Sequence, residues 1–185
     1  MSKKSWLIIG AVVLVVLIWV MSAYNGLVGR NEAVDNQWAQ VETQYQRRFD
    51  LIPNLVESVK GVMQQEQTIF NALAEARTRY SGAQTIDQKA AAAGQVESAL
   101  GRLLVIAENY PQLKSSENVQ TLMAQLEGTE NRISVERKRF NDNVRDLNVA
   151  IKRFPTNLLA GAFGFGERTY FESVSGSENA PQVQF

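Results

Sequence analysis

The chain has 185 residues, 45% of them hydrophobic and 21% charged, with nineteen basic side chains balanced by nineteen acidic ones. That length holds one ordinary domain, and these proportions exclude a disordered acidic chain and a collagen-like repeat. Histidine and cysteine are both absent, which removes disulfides, Cys and His nucleophiles, haem, iron–sulfur and zinc sites, and the side chain most used for acid–base chemistry near neutral pH.

The first element is apolar. Residues 6–21 read WLIIGAVVLVVLIWVM, and no charge occurs between Lys4 and Arg30. At about 1.5 Å per helical residue, about 20 such residues cross a hydrocarbon core, so 5–24 is predicted to be a transmembrane helix. Trp6, Trp19 and Tyr24 lie near its ends, where amphipathic rings favour the headgroup region. The triplet Met21-Ser22-Ala23 places a large residue where signal cleavage wants a small one, so the segment reads as an anchor. Lys3 and Lys4 keep residues 1–4 in the cytoplasm by the positive-inside bias. The remainder is then periplasmic or extracellular. It carries 17 basic against 19 acidic residues, a sign that disfavours nucleic acid.

Residues 25–52 read as a helical stalk and 53–154 as a helical bundle. One seam, spaced alternately by four and three, runs Leu27, Asn31, Val34, Trp38, Val41, Tyr45, Arg48, Ile52, Leu55, Val59, Val62, Glu66, Ile69, Leu73, Ala76, Tyr80. Such a heptad pattern predicts long helix packed on helix. Pro53 interrupts it and requires a kink or a break near Phe49 to Ile52. With no glycine nearby and the register kept, a kink is expected. Residues 81–84 read as a loop, and Thr85 with Gln88 forms a capping-box pair. The next helix, with seam Ile86, Ala93, Val96, Leu100, Leu103 and Ala107, runs to about Asn109, because Pro111 biases Tyr110 out of helix. Ser115 or Ser116 caps a last long helix, to about Arg153, with seam Leu122, Leu126, Ile133, Phe140, Val144, Leu147 and Ile151.

The fold class is therefore all-α: a transmembrane helix running into a long antiparallel bundle of three long helices, the first kinked at Pro53, or four if it breaks there. If helix 86–109 folds back along 54–80 and the last helix folds back again, the last helix overhangs its shorter neighbour by about 14 residues, or ~20 Å. With the first helix continuous, that overhang points away from the membrane. The stalk seam then has no partner within the chain, and Leu27, Val34, Trp38, Val41, Tyr45 and Ile52 are expected to form a homo-oligomer interface.

Residues 155–185 read as a short apolar helix, over about 156–163, and a flexible tail. Gly161, Gly164 and Gly166 space the aromatic residues Phe163, Phe165 and Tyr170, and Val183 and Phe185 alternate at the end. That end suits either strand addition to a partner or disorder.

Arg48, Glu66, Glu130 and Arg137 fall at or near seam positions where apolar residues are expected, and read as interhelical ion pairs that fix register. The basic run Arg137-Lys138-Arg139, with Arg145, Lys152 and Arg153, is interleaved by Glu136, Asp142 and Asp146, as on a solvated helical face. The glycines at 161, 164 and 166 follow no strand and lack the Lys and Ser/Thr of a phosphate loop. Asp50, Glu57 and Glu66 offer carboxylates, but any helical protein offers such triples. No catalytic, cofactor-binding or metal residue is expected, and the chain reads as not an enzyme.

Several segments together resemble the LemA family: Tyr24 to Val28 with Arg30-Asn31, Arg47 to Val56 (RRFDLIPNLV), Val59-Lys60-Gly61, Glu108 to Lys114, Thr129 to Ile133, Arg153-Phe154-Pro155, Tyr170-Phe171-Glu172 and the terminal Pro181-x-Val183-x-Phe185. Val62 to Glu66 departs from the pattern, which commonly carries an aromatic residue and a histidine there. The resemblance implies a bacterial single-pass inner-membrane protein with a helical body and no established enzymatic activity or cofactor. The resemblance suggests envelope organisation or membrane quality control; with the stalk seam, the expected role is a self-associating envelope scaffold in membrane organisation or remodelling, or else an accessory or sensor subunit binding a membrane protease or transporter in envelope quality control. Its partners would be the bilayer, further copies of itself and other membrane proteins.

Overall fold

A computed structural model describes residues 3–171, so the Val183 and Phe185 end lies outside the described residues. Six helices appear and no strand among those residues: α1 (Lys3–Lys60), α2 (Gln67–Gly82), α3 (Ile86–Ala107), α4 (Pro111–Lys114), α5 (Glu117–Lys152) and α6 (Thr156–Ala162). The described residues separate into two compact units, one of residues 3–40 with 138–170, the other of 41–137 with Phe171. Helices α1 and α5 each contribute to both.

Helix α1 passes through Pro53 unbroken, over 58 residues. It ends where the first glycine after Gly29 occurs, at Gly61. Two turn bonds follow, Val62 N to Val59 O at 3.0 Å and Met63 N to Val59 O at 2.9 Å, and Glu66 N then bonds Met63 O at 3.0 Å. This corrects the expectation of a seam helical from 27 to 80. Val62, assigned to the seam, is exposed, and Met63 is fully buried in its place. Apolar residues stay at core spacing across the reversal, with Val59 and Met63 both buried, so periodicity alone gave no sign of it.

In the second unit, four helical segments then run alternately up and down. Helix α2 returns along α1, with the ring of Tyr80 against Phe49 at 4.5 Å and against Tyr45 at 5.6 Å. Helix α3 starts at Thr85, whose hydroxyl accepts from Gln88 N while the Gln88 side chain accepts from Thr85 N, the capping box expected of that pair. It pairs back with α1 through Lys89 and Glu42. Its buried face is alanine-rich, Ala92, Ala93, Val96, Ala99, Leu100, Leu103 and Ala107, and small side chains let neighbouring helices approach closely. Helix α3 is long and apolar enough to cross a membrane, but its buried face and its ion pairs with Glu42 and Arg137 make it a core helix. Helix α4 is one short turn begun by Pro111. Helix α5 then runs antiparallel to α1, Arg48 facing Glu130 and Tyr45 facing Arg137.

In the first unit the same antiparallel pairing holds between other stretches of α1 and α5. Trp38 meets Phe140 edge-on at 5.6 Å, and Asn143 Nδ2 donates to Ala33 O at 3.2 Å. Helix α6 ends in a Schellman-type cap: Gly164 sits at φ 76°, which favours glycine, and Phe165 N–H reaches back to Ala160 O at 2.9 Å. That cap turns the chain so that Phe163 and Phe165 both pack on Tyr24, with ring centroids at 5.0 and 5.9 Å.

Candidate functional site

The seam proposed as an oligomer interface is buried within the chain. Leu27, Val34, Val41 and Tyr45 have no exposed surface, and Trp38 and Ile52 are almost fully covered. This corrects the expectation of an uncovered stalk. The cause is the number of reversals before α5. A turn at 61–66 adds one to the sequence-based count, and one more reversal inverts the direction of α5. Instead of overhanging away from the membrane, α5 runs back along α1 in both units. Its apolar side chains Ile133, Phe140, Val144 and Leu147, themselves buried, lie along it.

The four interhelical polar residues fall at separate contacts. Arg48 and Glu130 form an ion pair, Nη1 to Oε2 at 2.5 Å, with the arginine side chain 7% exposed and the glutamate 35%. The approach is off-axis for a hydrogen bond, since neither of those atoms nor Arg48 Nε finds a hydrogen-bond partner among the described residues. Charge attraction, not directed hydrogen bonding, holds this pair. Arg137 is engaged more fully. Its Nε and Nη2 donate to Tyr45 Oη at 2.9 and 2.8 Å, and Nη2 also donates to Glu97 at 3.0 Å. Its guanidinium carbon lies 4.5 Å from the Phe171 ring centroid, within cation–π range. Glu66 joins neither arginine. It stands at the start of α2 and accepts from Tyr110 Oη at 3.3 Å.

The electrostatics follow from burial. Desolvation raises the Tyr45 phenol above its ordinary value, opposed by the facing Arg137. Burial raises Tyr80 as well, helped by the charge of Glu42. Arg137 is raised: burial opposes its charge, but Tyr45 and Glu97 outweigh that. An arginine held charged against a phenol and a carboxylate is a cross-brace between helices.

Sequence reasoning missed a second polar knot, in the first unit. Arg168 donates to Asn31 Oδ1 at 3.3 and 3.1 Å and to Asp35 at 2.8 and 3.1 Å. Its backbone is clamped by the buried Asn148, which accepts from Arg168 N and donates to Arg168 O, both at 2.9 Å. The clamp ties the segment after α6 to α1 and α5. Its one sequence signal is Asn31, a polar residue on the apolar seam; Arg168 lies beyond any helical period and carries none.

The start of α1 forms a third feature. Among the described residues no side chain of its most apolar window is buried, and the helix is long enough to cross a membrane. Large apolar side chains left bare in this way mark a surface for a membrane or for another protein.

Comparison with known proteins agrees with the resemblance. Residues 37–185 match the LemA family. The chain is 30% identical to magnetosome protein MamQ of Magnetospirillum gryphiswaldense, covering 89% of this chain and 71% of the relative. It is 28% identical to magnetosome protein MamQ 2 of Paramagnetospirillum magneticum, covering 83% of this chain and 66% of that protein. MamQ 1 of the same organism gives the same identity and coverage.

Proposed function

The chain belongs to the LemA family, and from that premise we propose that it is a non-enzymatic scaffold of the bacterial envelope, tethered in the inner membrane by the start of α1. The observation that carries the proposal is the continuity of α1: one helix supplies both the bare apolar segment and the seam on which the folded body is built. The lysines ahead of the span support, by the positive-inside bias, a cytoplasmic N-terminus with the helical body across the membrane. The relatives are magnetosome proteins by name, which fits a role in membrane organisation.

Burial of the stalk seam favours a second reading, an accessory or sensor subunit bound to another membrane protein. Self-association would have to use a surface other than Leu27, Val34, Trp38, Val41, Tyr45 and Ile52. Purification of the full-length protein in mild detergent, with the mass of the particle and its co-purifying proteins measured, separates the readings. A homo-oligomer supports the scaffold, and one stoichiometric membrane protease or transporter supports the accessory subunit. A monodisperse monomer without partners overturns both.

A further inference from the structure

The corner between α5 and α6 lies level with the end of the apolar span. The register of the first unit locates that corner. Trp38 opposite Phe140 and Ala33 opposite Asn143 are antiparallel pairs. Carried on along both helices, they bring Lys152 opposite about residue 25 and Phe154 opposite about residue 23. Independently, Phe163 and Phe165, on the far side of α6, pack on Tyr24. Both ends of the α6 segment are therefore level with the aromatic residue that closes the apolar span.

At that level the corner exposes large apolar side chains: Phe154 is 76% exposed, Leu158 65% and Phe163 52%. Arg153, just before Phe154, is an exposed cation at that level, and the exposed Arg30 reaches back along α1 to donate to Gly26 O at 3.0 Å, within a turn of Tyr24. Apolar and aromatic side chains rimmed by arginine are the composition of a segment lying in the headgroup–acyl boundary. A protein partner would need no such match in height; a lipid surface requires it.

We propose that Phe154, Leu158 and Phe163 form an interfacial foot, seated in the leaflet on the side of the membrane where the body lies. The inference rests on the reading of α1 as a membrane span. The foot gives the first unit two attachments, which hold α1 and α5 at a fixed height and rotation relative to the bilayer. The knot of Arg168 with Asn31, Asp35 and Asn148, and the ion pair of Lys152 Nζ with Glu167 at 2.7 Å, brace the segment that carries it.

The test uses the full chain, which has no native cysteine, reconstituted in vesicles of phosphatidylethanolamine and phosphatidylglycerol. Single variants Phe154→Cys, Leu158→Cys, Leu14→Cys and Ala39→Cys are labelled with an environment-sensitive fluorophore and challenged with a lipid-borne nitroxide quencher. The foot is supported if labels at 154 and 158 shift to shorter wavelength and lose fluorescence to the quencher, as the label at 14 does, while the label at 39 does neither. Quenching at 14 with water-like emission at 154 and 158 overturns the foot and leaves the span intact. No quenching at 14 overturns the span itself. A blue shift at 154 and 158 without quenching means protein covers the corner, and quenching at 39 means the unit lies flat on the bilayer; either result overturns the proposal.

Discussion

At the scale of single residues, Arg137 is the clearest brace in the second unit. Its planar fork reaches a phenol and a carboxylate on two other helices at once, which one ammonium reproduces poorly. Arg137→Ala leaves the Tyr45 hydroxyl and Glu97 without their donor and is expected to cost roughly 1–3 kcal/mol. Arg137→Lys should recover only part of that loss, and thermal unfolding followed by circular dichroism in detergent checks both. The tyrosines give a pH dependence. Burial raises the Tyr45 and Tyr80 phenols, so the folded state holds these protons more tightly than the unfolded state does. Their contribution is complete below the ordinary phenol value of about 10 and is lost as pH rises through the higher folded values. Stability is therefore expected to decline above pH ~10, with tyrosinate absorbance lagging behind that of free tyrosine. Tyr80→Phe should flatten the decline.

At the scale of elements, the helix through Pro53 and the turn at 61–66 are opposite lessons. Proline lacks the N–H that would bond one turn back, yet apolar burial on both sides, Phe49, Ile52 and Leu55, holds α1 helical across it. The missing bond is a local cost that packing outweighs. Pro53→Ala is accordingly expected to stabilise the chain by roughly 1–3 kcal/mol, read as a higher unfolding midpoint. A lower midpoint would mean that a bend at Pro53 is needed for α2 or α5 to pack. The turn at 61–66 carries only Gly61 as a breaker, and Val59 and Met63 remain at core spacing. The seam therefore looked continuous in one dimension while the chain reversed in three. The capping box at Thr85 was legible because its two partners are three residues apart and need nothing from the rest of the fold.

At the scale of the whole molecule, one miscounted reversal decided which surface is open. The stalk seam read as adhesive between copies is instead closed by the chain's own α5. Val34→Cys is expected to resist a water-soluble maleimide in the folded protein and to react only on unfolding, while Ala39→Cys reacts at once; mass spectrometry after timed labelling measures both. Rapid reaction at Val34 in dilute detergent would restore the open seam.

Composition and hydropathy alone determined the all-α class, the apolar N-terminal helix and most of the residues that face inward, since each depends on local propensity or on a period written along the chain. The resemblance to the LemA family was likewise readable from motifs spread over nearly its whole length. Tertiary structure decided what those inward faces meet. It paired Arg48 with Glu130, gave Arg137 to Tyr45 and Glu97, and brought Arg168 back to Asn31. It also set the direction of α5 and the level of Phe154 and Leu158. Periodicity records which side of a helix is apolar, but not which way its neighbour runs; direction is set by turns, and at the turn at 61–66 the apolar spacing continues through Val59 and the buried Met63, so the pattern does not mark it.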